Sequence, residues 1–249
     1  MHDERSASGR GGRALFYIEW SMKYLVKGEG EAVVLLHGWG ADKEAMAPLA
    51  EALSSEYTVI APDLYGFGES PITRVMALED YAEGIIGILN KEGFSRAAVI
   101  GHSFGGRVGI RLAVRHREMV SGLVLVDAAG LKPRPGVKRA LRRLGNAFGK
   151  ATHLYKPKGS ADYEHSSGYL RGTFLNVIHD FQEGECPLIR CPTLLIWGRK
   201  DRDTPPYMAR RMRRLIHGSR LVWIREGGHF SYLDESTRVA LLIKEFLAE

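Results

Sequence analysis

Short, uninterrupted apolar runs recur along this chain, and most break at a glycine, a proline or an acid. Ala32-Val33-Val34-Leu35-Leu36 stops at His37-Gly38, Thr58-Val59-Ile60-Ala61 at Pro62-Asp63, and Ala97-Ala98-Val99-Ile100 at Gly101. Gly122-Leu123-Val124-Leu125-Val126 stops at Asp127, Thr193-Leu194-Leu195-Ile196-Trp197 at Gly198, and Leu221-Val222-Trp223-Ile224 at Arg225. Runs of this length suit strands buried on both faces, as in a parallel sheet covered by helices. Residues 14–20 and 22–26 alternate or run apolar and predict a strand pair at an edge, which brings the expected sheet to about eight strands. Between the runs, residues 45–53, 78–89, 107–116, 205–216 and 237–247 read as helices. Tyr81, Ile85, Ile86 and Leu89 make the stripe of the second. Alternating strands and helices predict an α/β fold, with a mostly parallel central sheet, right-handed crossovers and helices on both faces. Such sheets bind ligands at the carboxyl ends of their strands.

The alternation breaks after Asp127. Residues of about 130–187 contain no sheet-like run but carry two amphipathic stripes, Val137, Leu141, Leu144 and Phe148, then Leu170, Phe174, Val177 and Ile178. The block reads as a small helical insertion into one domain spanning 14–249. Residues 1–13 are polar and glycine-rich and read as a disordered tail. Composition adds little to this picture: 45% hydrophobic and 26% charged residues are ordinary for a globular protein. No run of about 18 apolar residues predicts a membrane span. No secretory leader pattern is evident, so a cytoplasmic protein is expected. Cys186 and Cys191 match no zinc spacing and make no disulfide framework, and neither metal nor cofactor is expected.

Charge is more informative. The net charge is +6. Between Leu131 and Ser160 lie Lys132, Arg134, Lys138, Arg139, Arg142, Arg143, Lys150, Lys156 and Lys158, with no acidic residue among them. A solvated face is one reading of such a run. The other is recruitment of an anionic substrate or surface. The run lacks interleaved aromatics, which argues against a nucleic-acid partner.

Candidate chemistry gathers at the strand ends. Gly101-His102-Ser103-Phe104-Gly105 sits between an apolar run and a helix, the context of a nucleophile elbow. A serine there needs a base to take its proton and an acid to orient that base. His229, in the loop Gly227-Gly228-His229-Phe230 after the last strand, is the best placed base. His102 flanks the serine with its side chain expected to point away, and His37 is expected to hold its loop. Asp201 and Asp127 each follow a strand and both satisfy the order serine, acid, histidine. Asp201, in Trp197-Gly198-Arg199-Lys200-Asp201, is preferred. Asp203 is expected to cap the helix at Pro205. The backbone N–H groups of Trp39 and Phe104 are the candidate oxyanion donors.

These features together resemble the α/β-hydrolase superfamily, from about residue 14 onward. The resemblance rests on His37-Gly38-Trp39-Gly40, Asp63-x-x-Gly66-x-Gly68-x-Ser70, the Gly101 to Gly105 elbow, Trp197-Gly198-x-x-Asp201 and Gly227-Gly228-His229-Phe230. It implies the α/β-hydrolase fold with a helical cap over the pocket at 130–187. It also implies a Ser103, Asp201 and His229 triad acting on a small-molecule ester without a cofactor. Leu144, Phe148, Phe174 and Ile178 are then candidate pocket walls. Ser103 stands where dehalogenases and epoxide hydrolases of the superfamily carry aspartate. The Trp39 loop and the Gly66-Phe67-Gly68 turn are similar to those of carrier-protein methyl-ester esterases, whose elbows carry Trp and Leu where this chain has His102 and Phe104. Carbon–carbon hydrolases are similar overall but commonly carry a small polar residue at the His102 position. A carboxylesterase is the leading expectation, and thioester or carbon–carbon hydrolysis and a ligand-binding receptor are the alternatives. A monomer or a dimer fits equally.

Overall fold

Six of the apolar runs form the body of one sheet, and the alternation of their side chains decides which layer each residue joins. The computed structural model describes residues 22–134 and 162–249. Among the described residues there are seven strands, β1 (Tyr24–Lys27), β2 (Ala32–Leu36), β3 (Thr58–Pro62), β4 (Ala97–His102), β5 (Val120–Val126), β6 (Thr193–Gly198) and β7 (Arg220–Ile224). They lie in the order β1-β3-β2-β4-β5-β6-β7. All neighbours are parallel except β1, which runs antiparallel to β3. The 22–26 run therefore pairs with β3, as Leu25 opposite Ala61 and Val26 opposite Ile60. Its expected partner at 14–20 lies outside the described residues, as do the tail at 1–13, the first cap stripe from Val137 to Phe148, and the basic face of Lys138, Arg139, Arg142 and Arg143.

The period of two along each strand divides the core. Val33 and Leu35 of β2 face one layer, with Leu49 and Leu53 of α1 (Ala47–Leu53) and Val239 and Ile243 of α7 (Ser236–Leu247). Val34 and Leu36 face the other, with Tyr81 and Ile85 of α2 (Leu78–Lys91) and Val108 and Leu112 of α3 (Phe104–Arg115). Met208 and Met212 of α5 (Pro206–Leu215) join that second layer. Each such side chain taken out of water contributes about 1.5–3 kcal/mol. A one-residue slip of register would exchange the residues of the two layers.

Helix α4 (Asp162–His179) lies between β5 and β6, within the block at 130–187. Its side of the chain is tied down at Thr173, whose hydroxyl accepts a 2.9 Å hydrogen bond from the Met76 backbone N–H. Its carboxyl end is held by Arg107 and Arg111 of α3. Arg107 donates to the Asp180 carbonyl at 2.7 Å, and Arg111 pairs with Asp180 at 2.8 Å and Glu185 at 2.9 Å. Helix α6 (Ser231–Asp234) is a single turn between β7 and α7. Among the described residues no helix is long and apolar enough to cross a membrane.

Two local expectations differ. Helix α3 starts directly after Ser103, earlier than the apolar spacing indicated, because Gly105 and Gly106 let it begin against the sheet. Asp203 does not cap α5: the N-cap is Pro205 with no side-chain cap bond, and the Asp203 backbone N–H is instead turned toward the Asp201 carboxylate at 2.8 Å.

Candidate active site

Strand β4 is central, between β2 and β5, so its carboxyl end is flanked by two neighbouring strand ends. Ser103 follows it with φ 50° and ψ −108°. A non-glycine residue there carries about 1–3 kcal/mol of strain, retained only where its surroundings enforce it. They do so here. The Ser103 N–H donates to the Val126 carbonyl at 3.1 Å, and the Ala129 N–H donates to the Ser103 carbonyl at 3.0 Å. The close turn leaves no room for side chains beside it. A Cβ on Gly101 would lie 2.4 Å from the Gly105 carbonyl oxygen, and one on Gly105 would lie 2.2 Å from that of Leu36.

The structure brings Ser103, His229 and Asp201 together from three separate loops. Nε2 of His229 is 2.9 Å from Oγ of Ser103, and Nδ1 is 3.0 Å from Oδ2 of Asp201. Asp201 is 3% exposed, and its charge is met by donors on both oxygens. Oδ1 accepts from the backbone N–H groups of Asp203 at 2.8 Å and Thr204 at 2.9 Å, and Oδ2 accepts from the Thr204 hydroxyl at 2.6 Å. Burial alone would lower the pKa of His229, but its hydrogen bond to Asp201 and the nearby carboxylate charge outweigh this and raise it.

Asp127 stands beside this group without joining it. Fully buried, it accepts from the Gly198 N–H at 2.7 Å, the Ser231 N–H at 3.1 Å and the Ser231 hydroxyl at 2.5 Å. It thus ties the end of β6 to the start of α6, the turn that directly follows the histidine loop. Burial pushes its pKa up to about 7, against the pull of those donors. Of the two acids left open by chain order, only Asp201 has a carboxylate oxygen against the imidazole.

The loop after β2 passes beside the elbow, with Gly38 against His102 and Ser103. His37 is buried, its Nδ1 bonded to the Gly38 carbonyl at 2.8 Å, while Nε2 accepts from the Leu64 N–H at 2.9 Å. This is a loop-holding role. Asp63 fixes the adjoining turn by accepting from Lys43 through backbone and side chain, each at 2.8 Å, and from the Glu69 N–H at 3.0 Å. Among the described residues no protein acceptor takes the backbone N–H of Trp39 or Phe104. The Trp39 ring packs against Phe67 at 4.9 Å, Phe104 at 5.1 Å and Phe174 of α4 at 5.1 Å. Phe174 and Ile178 are half-buried on α4, whereas Leu144 and Phe148 lie outside the described residues.

Sequence reading missed two residues. Thr204 supports Asp201, its hydroxyl also lying 3.0 Å from the Asp127 carbonyl, and Ser231 anchors the histidine loop. The signal for Thr204 was an Asp-x-x-Thr spacing before two prolines, where a side chain readily bonds backbone N–H groups two and three residues on. Asp201, Asp203 and His229 also place possible metal-ligand atoms within 4.8 Å of one another. A cation there would have to split the contact between His229 Nδ1 and Asp201. Cys186 and Cys191 are free thiols, the first buried.

Residues 33–240 match the alpha/beta hydrolase family. The chain belongs to that family and is a hydrolase. It is 30% identical to a 2-hydroxymuconate semialdehyde hydrolase of Pseudomonas putida, over 90% of this chain and 89% of that one. It is 28% identical to a pimeloyl-[acyl-carrier protein] methyl ester esterase of Neisseria meningitidis serogroup B, over 86% and 92%. Its structure is similar to that of a thermophilic esterase from Thermogutta terrifontis, with a TM-score of 0.75, 27% identity, and 91% and 93% of the two chains covered.

Proposed function

We propose that this hydrolase cleaves carboxylic esters through an acyl-enzyme formed on Ser103. The observation that carries the reading is the unbroken relay from Ser103 Oγ to His229 Nε2 at 2.9 Å and from His229 Nδ1 to Asp201 at 3.0 Å. His229 takes the Ser103 proton as the hydroxyl attacks the ester carbonyl. Asp201 holds the ring in the tautomer with hydrogen on Nδ1 and stabilises the imidazolium that forms. The Trp39 and Phe104 N–H groups, which meet no acceptor among the described residues, donate to the oxyanion. The imidazolium then gives its proton to the leaving alcohol, and water activated by His229 releases the acid. Phe174 and Ile178 form part of the acyl pocket wall, with Leu144 and Phe148 expected to complete it. The reaction takes place without a cofactor.

A carbon–carbon hydrolase using the same residues is the second reading, favoured by the similarity to the semialdehyde hydrolase. Steady-state assays separate the two readings and a receptor. p-Nitrophenyl esters of increasing acyl length should turn over, with loss of about a millionfold in kcat for Ser103→Ala. Turnover of vinylogous diketones with no ester hydrolysis would favour the second reading. A stoichiometric burst with no steady turnover would favour a receptor.

A further inference from the structure

We propose that His102 is a positioning residue whose single side chain sets the oxyanion loop and the histidine loop in register with Ser103. This rests on the serine-hydrolase reading above and adds a residue that the triad and the oxyanion hole leave without a task.

His102 is the last residue of β4, is 1% exposed, and takes no part in the relay. Its Nε2 lies 2.7 Å from the backbone carbonyl oxygen of His229. A carbonyl only accepts, so Nε2 carries the hydrogen and donates. The side chain beside the nucleophile thus holds the backbone of the base. Its ring also packs against the rings of His229 at 5.1 Å, Phe230 at 5.1 Å and Tyr232 at 4.9 Å. Every one of those partners belongs to the loop and turn that deliver the base.

The other edge of the ring meets the oxyanion loop. A Cβ on Gly38 would lie 2.9 Å from His102 Nδ1 and 3.2 Å from Cε1. Gly38 immediately precedes Trp39, a proposed oxyanion donor. With the hydrogen on Nε2, a neutral ring leaves Nδ1 bare, and Nδ1 is buried without a hydrogen-bond partner. Leaving such an atom unpaired is unfavourable by about 1–3 kcal/mol. The fold retains that penalty where one planar ring spans from the Gly38 backbone to the His229 carbonyl. Burial, with His229 as the next cause, lowers the His102 pKa to about 3, so the ring stays neutral beside the imidazolium that forms during turnover.

The test combines activity with a readout that a general packing role would not move. His102→Phe keeps a ring but loses the donor, and His102→Gln restores a donor without the ring. The expected result for His102→Phe is a fall in kcat of about ten- to a hundredfold with KM within about threefold, and an equal fall in the rate of Ser103 labelling by a fluorophosphonate. His102→Gln should recover part of both. The second arm uses folding alone. Gly38→Ala should raise the unfolding constant in the wild-type background and do so about tenfold less in His102→Ala, where the facing ring is gone. Unchanged kcat and labelling in His102→Phe would overturn the proposal. So would a Gly38→Ala effect that is the same in both backgrounds. Absence of labelling in the wild-type protein would instead strike the serine-hydrolase reading, while the coupling between positions 38 and 102 would still be measured by denaturation.

Discussion

At the scale of single residues, two buried carboxylates a short distance apart have been given different work by their partners. Asp201 has an imidazole against one oxygen, and Asp127 has only backbone and hydroxyl donors. Asp201→Asn should therefore lower kcat by about ten-thousandfold, because the amide no longer fixes the tautomer. His229 must be neutral to accept the Ser103 proton, and its pKa is raised. The acid limb of the kcat/KM profile in the wild type should then inflect above the ordinary histidine value of 6.5. Any residual activity of Asp201→Asn should have that limb at lower pH, since the charge that raised the pKa is gone. An unshifted limb would reject the pairing. Asp127 is read by stability instead. Its folded pKa of about 7 lies above the ordinary 3.8, so the folded state holds that proton more tightly. The stability this provides is complete below about pH 4 and is lost as pH rises through 7, an effect of about 4 kcal/mol as an upper figure. Asp127→Asn has no such titration. Its deficit in urea denaturation should narrow between pH 4.5 and 7.5, and a deficit that widens over that range would contradict the assignment.

At the scale of elements, the strand ends and the helices between them were legible, and the side-chain ties between distant loops were not. An apolar run followed by Gly-x-Ser-x-Gly shows where a nucleophile turn falls, because close backbone approach excludes every side chain larger than hydrogen at Gly101 and Gly105. Nothing comparable marks Ser231 or Thr204, whose value lies in partners far along the chain. Position 203 illustrates the limit: an acid two residues before a proline suggests a cap, but Pro205 itself takes the N-cap place. Likewise the edge pairing of β1 with β3 depends on a neighbour more than thirty positions away that local alternation does not reveal. Helix α4 brings Phe174 against Trp39 and is held by the bond between Thr173 and the Met76 N–H. Phe174→Ala should enlarge the acyl pocket and move the optimum of a p-nitrophenyl ester series toward longer chains. The kcat/KM ratio between the two best lengths should change by about tenfold, the worth of one to two methylenes in an apolar pocket. An unaltered chain-length profile would remove Phe174 from the pocket wall.

At the scale of the whole molecule, one sheet with helices on both faces supplies a rigid rim, and three loops at that rim meet. The class of fold was legible because short continuous apolar runs alternate with segments of helical spacing along most of the chain. Substrate identity was not legible, because the block at 130–187 carries no motif that names a ligand. Charge remains the clearest pointer outward. Besides the basic run at 131–160, the described part of the chain carries Arg199, Lys200, Arg202, Arg210, Arg213, Arg214, Arg220 and Arg225, all exposed. Anionic esters should be favoured at low salt, with kcat/KM falling about tenfold toward physiological ionic strength while neutral esters change little. Reversing Lys138, Arg139, Arg142 and Arg143 together should abolish that difference, and equal losses on both kinds of ester would show the charges to be bystanders. The proposed chemistry depends on a reactive hydroxyl at Ser103, and intact-mass and peptide analysis after treatment with a fluorophosphonate tests it most directly. One adduct on Ser103, absent in Ser103→Ala and formed at least about a thousandfold more slowly in His229→Ala, is the predicted result. A folded wild-type protein that stays unmodified, or one labelled equally fast without His229, would contradict it.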